Sequence, residues 1–235
     1  MDNLIAVVTG GNKGIGKEIA RQLAGAGLTV YVGSRDAARG QRAVEEMGGD
    51  TRLLVLDVTD AASIAAAASQ VGTLDILVNN AGVSGDDTTA DQEDIGTFRR
   101  VYETNVFGVV AVTNAFLPAL RRSAHPRIVN ISSGTGSLTR ATGPQFPHTG
   151  SHAAYRSSKT ALNALTVFYA QSLAGDAIKV NALAPGLRRT DLNPTAAASD
   201  GDPAEAAAGA VRLALLPDDG PSGEFISWDG TPVPW

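Results

Sequence analysis

A doubly wound α/β fold, with one parallel sheet of about seven strands and helices on both faces, is what this sequence predicts, and three observations predict it. Short Val-, Ile- and Leu-rich runs alternate with longer helical stretches along the whole chain, the strand runs are continuously apolar, and a glycine-rich turn joins the first run to the first helix. Strands covered on both faces read as unbroken apolar runs, and helical crossovers make neighbouring strands parallel. Right-handed crossovers then wind helices over both faces and gather ligands at the carboxyl ends of the strands.

Taken in order, the first strand is expected over residues 4–9, where Leu4 to Thr9 run straight into the glycines, and a helix over 16–26 follows. Further strands are expected at 29–33, 51–56, 76–79, 127–132, 178–183 and 223–226, each a short aliphatic run. Ala- and Leu-rich stretches at 61–69, 95–122 and 153–174 supply helices between them. Two segments, 134–152 and 187–203, are polar, small-sided loops that follow strands and form natural walls for a pocket.

The chain has 235 residues, 43% of them apolar, which suits a single domain over 1–235 with a sizeable core. A formal net charge of −5 argues against a nucleic-acid partner, since phosphate binding needs a concentrated positive face. There are no cysteines, so disulfides and thiol chemistry are excluded. Residues 4–10 lack a basic leader and read as a strand, and no apolar run approaches the length of a membrane span, so a cytoplasmic protein with a small-molecule ligand is expected.

Chemistry is suggested by Tyr155 and Lys159, four residues apart on an expected helix and therefore facing the same way. An ammonium close to a phenol lowers its pKa from about 10, which would let Tyr155 trade a proton near neutrality. A Ser133 hydroxyl opposite would hold the oxygen that gains or loses that proton, an arrangement suited to making or breaking a carbonyl. By spacing alone, the pair reads first as a half-buried aromatic beside a solvated amine, and the rest of the chain has to decide. His148 and His152 are also four apart, but no carboxylate or cysteine is spaced to complete a metal site.

The turn itself runs Thr9-Gly10-Gly11-Asn12-Lys13-Gly14-Ile15-Gly16. Glycines there let the backbone approach a pyrophosphate, and the helix N-terminus adds amide donors and a positive dipole end. The glycine spacing, together with Asn79-Asn80-Ala81-Gly82, Asn105, Ser133, Tyr155, Lys159 and Pro185-Gly186 with Thr190, resembles the short-chain dehydrogenase/reductase family from about residue 4 to the C-terminus. The resemblance implies a Rossmann-like sheet and a nicotinamide cofactor held by Thr9, Gly10, Asn12, Lys13, Gly14, Ile15 and Gly16. It further implies cofactor contacts from Asp57, Val58, Asn80, Ala81, Gly82, Pro185, Gly186 and Thr190.

By the same resemblance, Tyr155 is the proton donor, Ser133 holds the substrate oxygen, Lys159 binds the nicotinamide ribose and Asn105 holds a water linking Lys159 to solvent. Ser133 is chosen over Ser132 because the family's catalytic serine is the second of such a pair. Asn105 reads otherwise as a repair to helix hydrogen bonding, and Asp57 as an N-cap or loop partner.

An acidic residue at the end of the second strand would repel a ribose 2′-phosphate, but the corresponding position is Ser34, followed by Arg35, with Lys13 and Arg39 adding positive charge nearby. NADP(H) is therefore expected. Tyr155 follows Ser133 by 22 residues, a long gap that resembles the carbonyl-reductase branch. The expected reaction is reduction of a ketone or aldehyde with NADPH. The same residues would serve an alcohol or hydroxysteroid-type dehydrogenase running in the oxidative direction, and a non-catalytic nucleotide sensor is the alternative outside enzymes. Self-association as a dimer or tetramer and a monomer are both left open, the segment 134–152 lying where some relatives, by this resemblance, cover the dimer surface. Phe146, Leu138, Leu187 and Leu192 either line an apolar wall of the substrate pocket or pin the loops to the body.

Overall fold

The computed structural model describes residues 4–144 and 149–235. Seven strands, β1 (Ile5–Val8), β2 (Thr29–Ser34), β3 (Thr51–Val55), β4 (Ile76–Asn79), β5 (Arg127–Ile131), β6 (Lys179–Ala184) and β7 (Phe225–Ser227), pair in parallel in the order β3-β2-β1-β4-β5-β6-β7. Ala6 faces Val30 on one side and Ile76 on the other, which fixes the register at the middle of the sheet. The chain moves outward one way from β1 and the opposite way from β4, so a crevice opens between their carboxyl ends.

Helices cover both faces. One core layer joins Ile64 of α3 (Ala61–Ser69), Phe116 and Leu120 of α5 (Gly108–Leu120), and Ala170 of α7 (Ala153–Ser172) to Val7, Leu77 and Val180 of the sheet. The other joins Ile19 and Leu23 of α1 (Gly14–Gly25) and Ala207, Ala210 and Leu213 of α9 (Pro203–Ala214) to Val8, Val30 and Val129. Each fully buried Leu or Ile in these layers contributes about 1.5–3 kcal/mol of transfer free energy.

Five differences from the sequence reading have physical causes. The expected helix over 95–122 is broken into α4 (Ile95–Tyr102), a widened π turn (Glu103–Phe107) and α5, and Asn105 sits in the widened turn. Helix α2 (Ala37–Met47), capped by Asp36 accepting from the Arg39 amide, is additional. So is α9, whose Ala- and Gly-rich sequence carries no aliphatic stripe. Small residues are needed there because a Cβ on Gly209 would come within 2.8 Å of the Trp228 backbone. The two expected loops contain a 3-10 turn at Gly134–Gly136 with α6 (Leu138–Ala141), and α8 (Pro194–Ala197). The last strand lies two residues later than 223 and pairs back on the C-terminal segment, where the Val233 amide donates to Phe225 O. Among the described residues no helix is long and apolar enough to cross a membrane.

Candidate active site

The glycine turn is locked to the end of β4 by two side chains. Thr9 Oγ1 accepts from the amides of Asn80 (2.9 Å) and Ala81 (3.0 Å), and Asn80 Nδ2 donates to the carbonyls of Thr9 and Gly10. Gly10 holds φ +61° with a Cβ position only 3.0 Å from the Ala81 backbone, and a Cβ on Gly16 would run into the Asn80 side chain. Thr9 is thus a buried peg, while Gly10, Asn12, Lys13, Gly14, Ile15 and Gly16 line the crevice. Helix α1 differs from its neighbours at its start. Asp36, Asp60, Asp94 and Asp202 cap α2, α3, α4 and α9, whereas the cap residue of α1 is Lys13 and offers no side-chain acceptor. Its first amides are left facing the crevice, where an anion would satisfy them.

Charge at the end of β2 is arranged differently from the expectation. Ser34 is buried and its hydroxyl donates to Asp36 O at 2.8 Å. Arg35 is exposed and lines the crevice, but the Arg39 guanidinium pairs with Asp36 at 3.3 Å, and Lys13 Nζ reaches across to Asp191 at 2.7 Å. Lys13, Arg35 and Arg39 thus line the same end of the crevice, with Lys13 and Arg39 each also paired to a carboxylate. Asp57 both lines the crevice and braces its loop: its Oδ1 accepts from the Thr59 amide and hydroxyl, and these bonds, aided by Arg35, hold its pKa below the ordinary value. Val58 lies beside it in the lining.

At the other end, the two serines after β5 separate cleanly. Ser132 Oγ is buried and donates to Asn163 Oδ1 at 2.5 Å, while Ser133 Oγ accepts from the Thr135 amide and shares a hydrogen bond with Thr135 Oγ1 at 2.8 Å. Burial pushes the Tyr155 phenol above its ordinary value, and the neighbouring Ser133 hydroxyl pulls it back. That corrects the expected cause: Lys159 stands 5.8 Å from the Tyr155 ring centre, with Nζ donating to Ile131 O at 2.8 Å, and burial lowers its own pKa to about 8. Desolvation acts on both groups and makes each neutral form easier to reach.

Asn105 makes three hydrogen bonds from the widened turn. Its Oδ1 accepts from the Val83 amide, and its Nδ2 donates to Val83 O and to Ser158 Oγ of the helix carrying Tyr155. Gly82 lies between these parts: a Cβ there would stand 3.3 Å from Asn105 Oδ1 and 3.6 Å from Lys159 Nζ, so glycine keeps that space clear.

The segment after β6 turns at Gly186, φ +71°, against Trp228. Pro185 and Thr190 line the crevice, whereas Gly186 lies outside the lining. Arg188 is buried, donates to Pro185 O and Glu205, and stacks 4.1 Å over the Trp228 ring. Leu138 and Leu187 are about 60% exposed, which removes them as pins between loop and body; Leu192 lines the crevice. Phe146 and His148 lie outside the described residues. His152 Nε2 faces Asp87 at 3.1 Å, and among the described residues no group of three His, Cys, Asp or Glu is placed to hold a metal.

One cleft of about 410 Å³ runs from Arg35 to Tyr155 and Lys159; Ser132 is in its lining, whereas Ser133 and Asn105 lie just outside it. The sequence reading missed Leu56, Val83, Ser84, Thr104 and Asp191 in its lining. It also missed Glu93, whose Oε2 accepts from the Ala154 amide at the start of α7, one residue before Tyr155. Asp191, adjacent to Thr190, carried the one available signal.

An open helix N-terminus at the switch point of a parallel sheet, sharing a cleft with a half-buried phenol and a buried amine, defines a dinucleotide-dependent oxidoreductase of the doubly wound class. Comparison with known proteins gives the same class. The short chain dehydrogenase family matches residues 4–200. Salutaridine reductase of Papaver bracteatum is 35% identical, covering 94% of this chain and 93% of its own, and (-)-isopiperitenone reductase of Mentha piperita is also 35% identical, covering 95% and 96%. Among solved structures, NADPH-bound carbonyl reductase from chicken fatty liver superposes with a TM-score of 0.86 at 30% identity over the whole of both chains. Salutaridine reductase from Papaver somniferum superposes at 0.83 with 32% identity, covering 95% of this chain and 99% of that one. The chain belongs to the short-chain dehydrogenase/reductase family, whose members use a nicotinamide cofactor. The alignment with the P. bracteatum reductase spans 294 positions, more than this chain's 235 residues, so that relative carries internal segments absent here.

Proposed function

We propose that this protein is an NADPH-dependent reductase that converts a ketone or aldehyde to an alcohol, acting as one domain in the cytoplasm on a small-molecule carbonyl. The observation that carries the reading is the pairing, in one cleft, of the uncapped start of α1 and Arg35 at one end with Tyr155 and Lys159 at the other. The cleft suits a dinucleotide: its glycine-lined floor admits a pyrophosphate to the α1 amides, and Ser34 replaces the carboxylate that would repel a 2′-phosphate. Carbonyl reductase from chicken fatty liver, NADPH-bound in its crystal structure, favours the same cofactor, and the names of that enzyme and of the two plant reductases favour the same direction.

In this reading the bound nicotinamide supplies a hydride to the carbonyl carbon. Tyr155, a neutral phenol because burial holds its pKa above 10, gives its proton to the carbonyl oxygen, and that oxygen leaves as the alcohol. Ser133 holds the oxygen as negative charge grows on it. Lys159, whose amine is buried beside the Tyr155 ring, stabilises the phenolate left behind. Asn105 Oδ1 and Lys159 Nζ flank the space that Gly82 keeps clear, which gives a water a route for returning the proton to Tyr155.

The test is NADPH consumption against a panel of aldehydes, aryl ketones, β-keto esters, quinones and bicyclic ketones. Turnover of simple ketones or aldehydes is expected; activity confined to β-keto acyl thioesters, or none with any carbonyl, rejects the reading. Changing Arg35→Asp is expected to shift kcat/KM toward NADH, and an unchanged preference removes the cofactor assignment.

A further inference from the structure

Residues 190–193 cross the mouth of the cleft as a strap fastened on two sides. On the glycine-turn side Lys13 Nζ pairs with Asp191 Oδ2 at 2.7 Å, and the Thr190 methyl lies 3.3 Å from the place a Cβ on Gly14 would take. On the far side Asn193 Nδ2 donates to Ser84 Oγ at 3.3 Å, in the segment after β4. The root of the strap is rigid, because Arg188 is buried between Pro185 O, Glu205 and the Trp228 ring. Its fastenings are side-chain contacts that open without unfolding the backbone.

The Lys13–Asp191 contact has the character of a temporary bond. Both side chains are well exposed, at 59% and 65%, and an exposed ion pair is weak and screened by salt. Nearby, Arg39 is held by Asp36 and Arg35 stands beside Asp57, so Lys13 is the cation whose partner comes from across the cleft. A phosphate monoester carries up to two charges and three acceptor oxygens, and it outcompetes one carboxylate for an ammonium.

We propose that Asp191 is a cofactor-discriminating residue: its carboxylate holds Lys13 across the cleft until a phosphate monoester on the adenosine ribose replaces it, which unfastens the strap. An adenosine without that phosphate leaves the strap fastened. The inference rests on the NADPH reading and extends it, since discrimination then comes from what Lys13 must leave as well as from what it gains.

Calorimetric titration of the full-length, cofactor-free protein with adenosine 2′,5′-bisphosphate and with 5′-AMP separates the two ideas. Wild type is expected to bind the bisphosphate more tightly than 5′-AMP. Asp191→Asn is expected to tighten the bisphosphate about twofold to fivefold, the range of an exposed ion pair, and to leave 5′-AMP unchanged. In a Lys13→Met background the Asp191 substitution is expected to have no effect on either ligand. Hydrogen exchange across residues 187–193 is expected to quicken with the bisphosphate and not with 5′-AMP. If wild type prefers the bisphosphate but Asp191→Asn changes both ligands alike or neither, the strap inference is overturned and the NADPH reading stands. If wild type binds the two ligands equally, both fall.

Discussion

The floor of the cleft and its rim are built by opposite means. On the floor, Thr9, Asn80, Ser132, Asn105 and Lys159 are buried or partly buried, and each is fixed by hydrogen bonds to backbone or to another side chain. On the rim, Lys13, Arg35 and Asp191 are exposed and make single charge contacts, Lys13 with Asp191 and Arg35 with Asp57. A buried polar group left without its partner costs about 1–3 kcal/mol, whereas an exposed ion pair is worth at most about 1 kcal/mol. Chemistry placed on the floor is therefore costly to alter, and ligand preference placed on the rim is cheap to retune.

The comparison breaks most visibly at Tyr155. Tyr155→Phe is expected to lower kcat by about 10²–10⁴-fold while NADPH binding, followed by fluorescence titration, is retained; substantial remaining turnover removes Tyr155 as the proton donor. Ser133→Ala comes next, with an expected loss of about 10²–10³-fold in kcat. Ser132→Ala is its control: turnover is kept and urea melts lose about 1–2 kcal/mol, because Asn163 is stranded in the interior.

Lys159 tests the floor through pH. Its folded-state pKa is about 8 and its ordinary value 10.5. Below pH 8 folded and unfolded chains both carry the proton, and the burial penalty is present in full. Between about 8 and 10.5 the unfolded chain keeps a proton that the native chain has lost, so this group's contribution to stability rises with pH. The stability of the cofactor-free wild type relative to Lys159→Met is therefore expected to rise by up to about 3 kcal/mol over that window. A difference that stays flat with pH returns the amine to its ordinary pKa.

Arg188→Ala removes the root of the strap and is expected to cost about 2 kcal/mol, lowering Tm by about 4–8 °C. The smallest effect belongs to the rim. Lys13→Ala is expected to change folding stability by less than about 1 kcal/mol in urea melts, and a larger loss would move Lys13 from rim to floor.

Local motifs were readable because their chemistry is local. Gly10, Gly14 and Gly16 are required by the turn itself, and the spacing of Tyr155 and Lys159 along one helix follows from helical geometry. Helix α9 escaped because its buried face is made of Ala206, Ala207, Gly209 and Ala210, residues chosen for close approach and carrying no aliphatic period. Asp191 escaped because a carboxylate in a polar loop reads as solvated until Lys13, 178 residues earlier, is found beside it. Glu93 escaped for the same reason, since its partner amide at Ala154 is 61 residues away.

The sequence by itself determined the parallel sheet with helices on both faces and the glycine turn, because apolar continuity and short-range spacing encode them, and it offered Ser133, Tyr155 and Lys159 through their resemblance to a family. Only the tertiary structure decided which carboxylate holds which cation around Lys13, Arg35 and Arg39, and that Asn105 sits in a widened turn joining Val83 to Ser158. It also decided that burial, opposed by Ser133, sets the acidity of Tyr155. Ion-pair choice and desolvation depend on groups brought together from distant parts of the chain, and one-dimensional spacing carries no record of those distances.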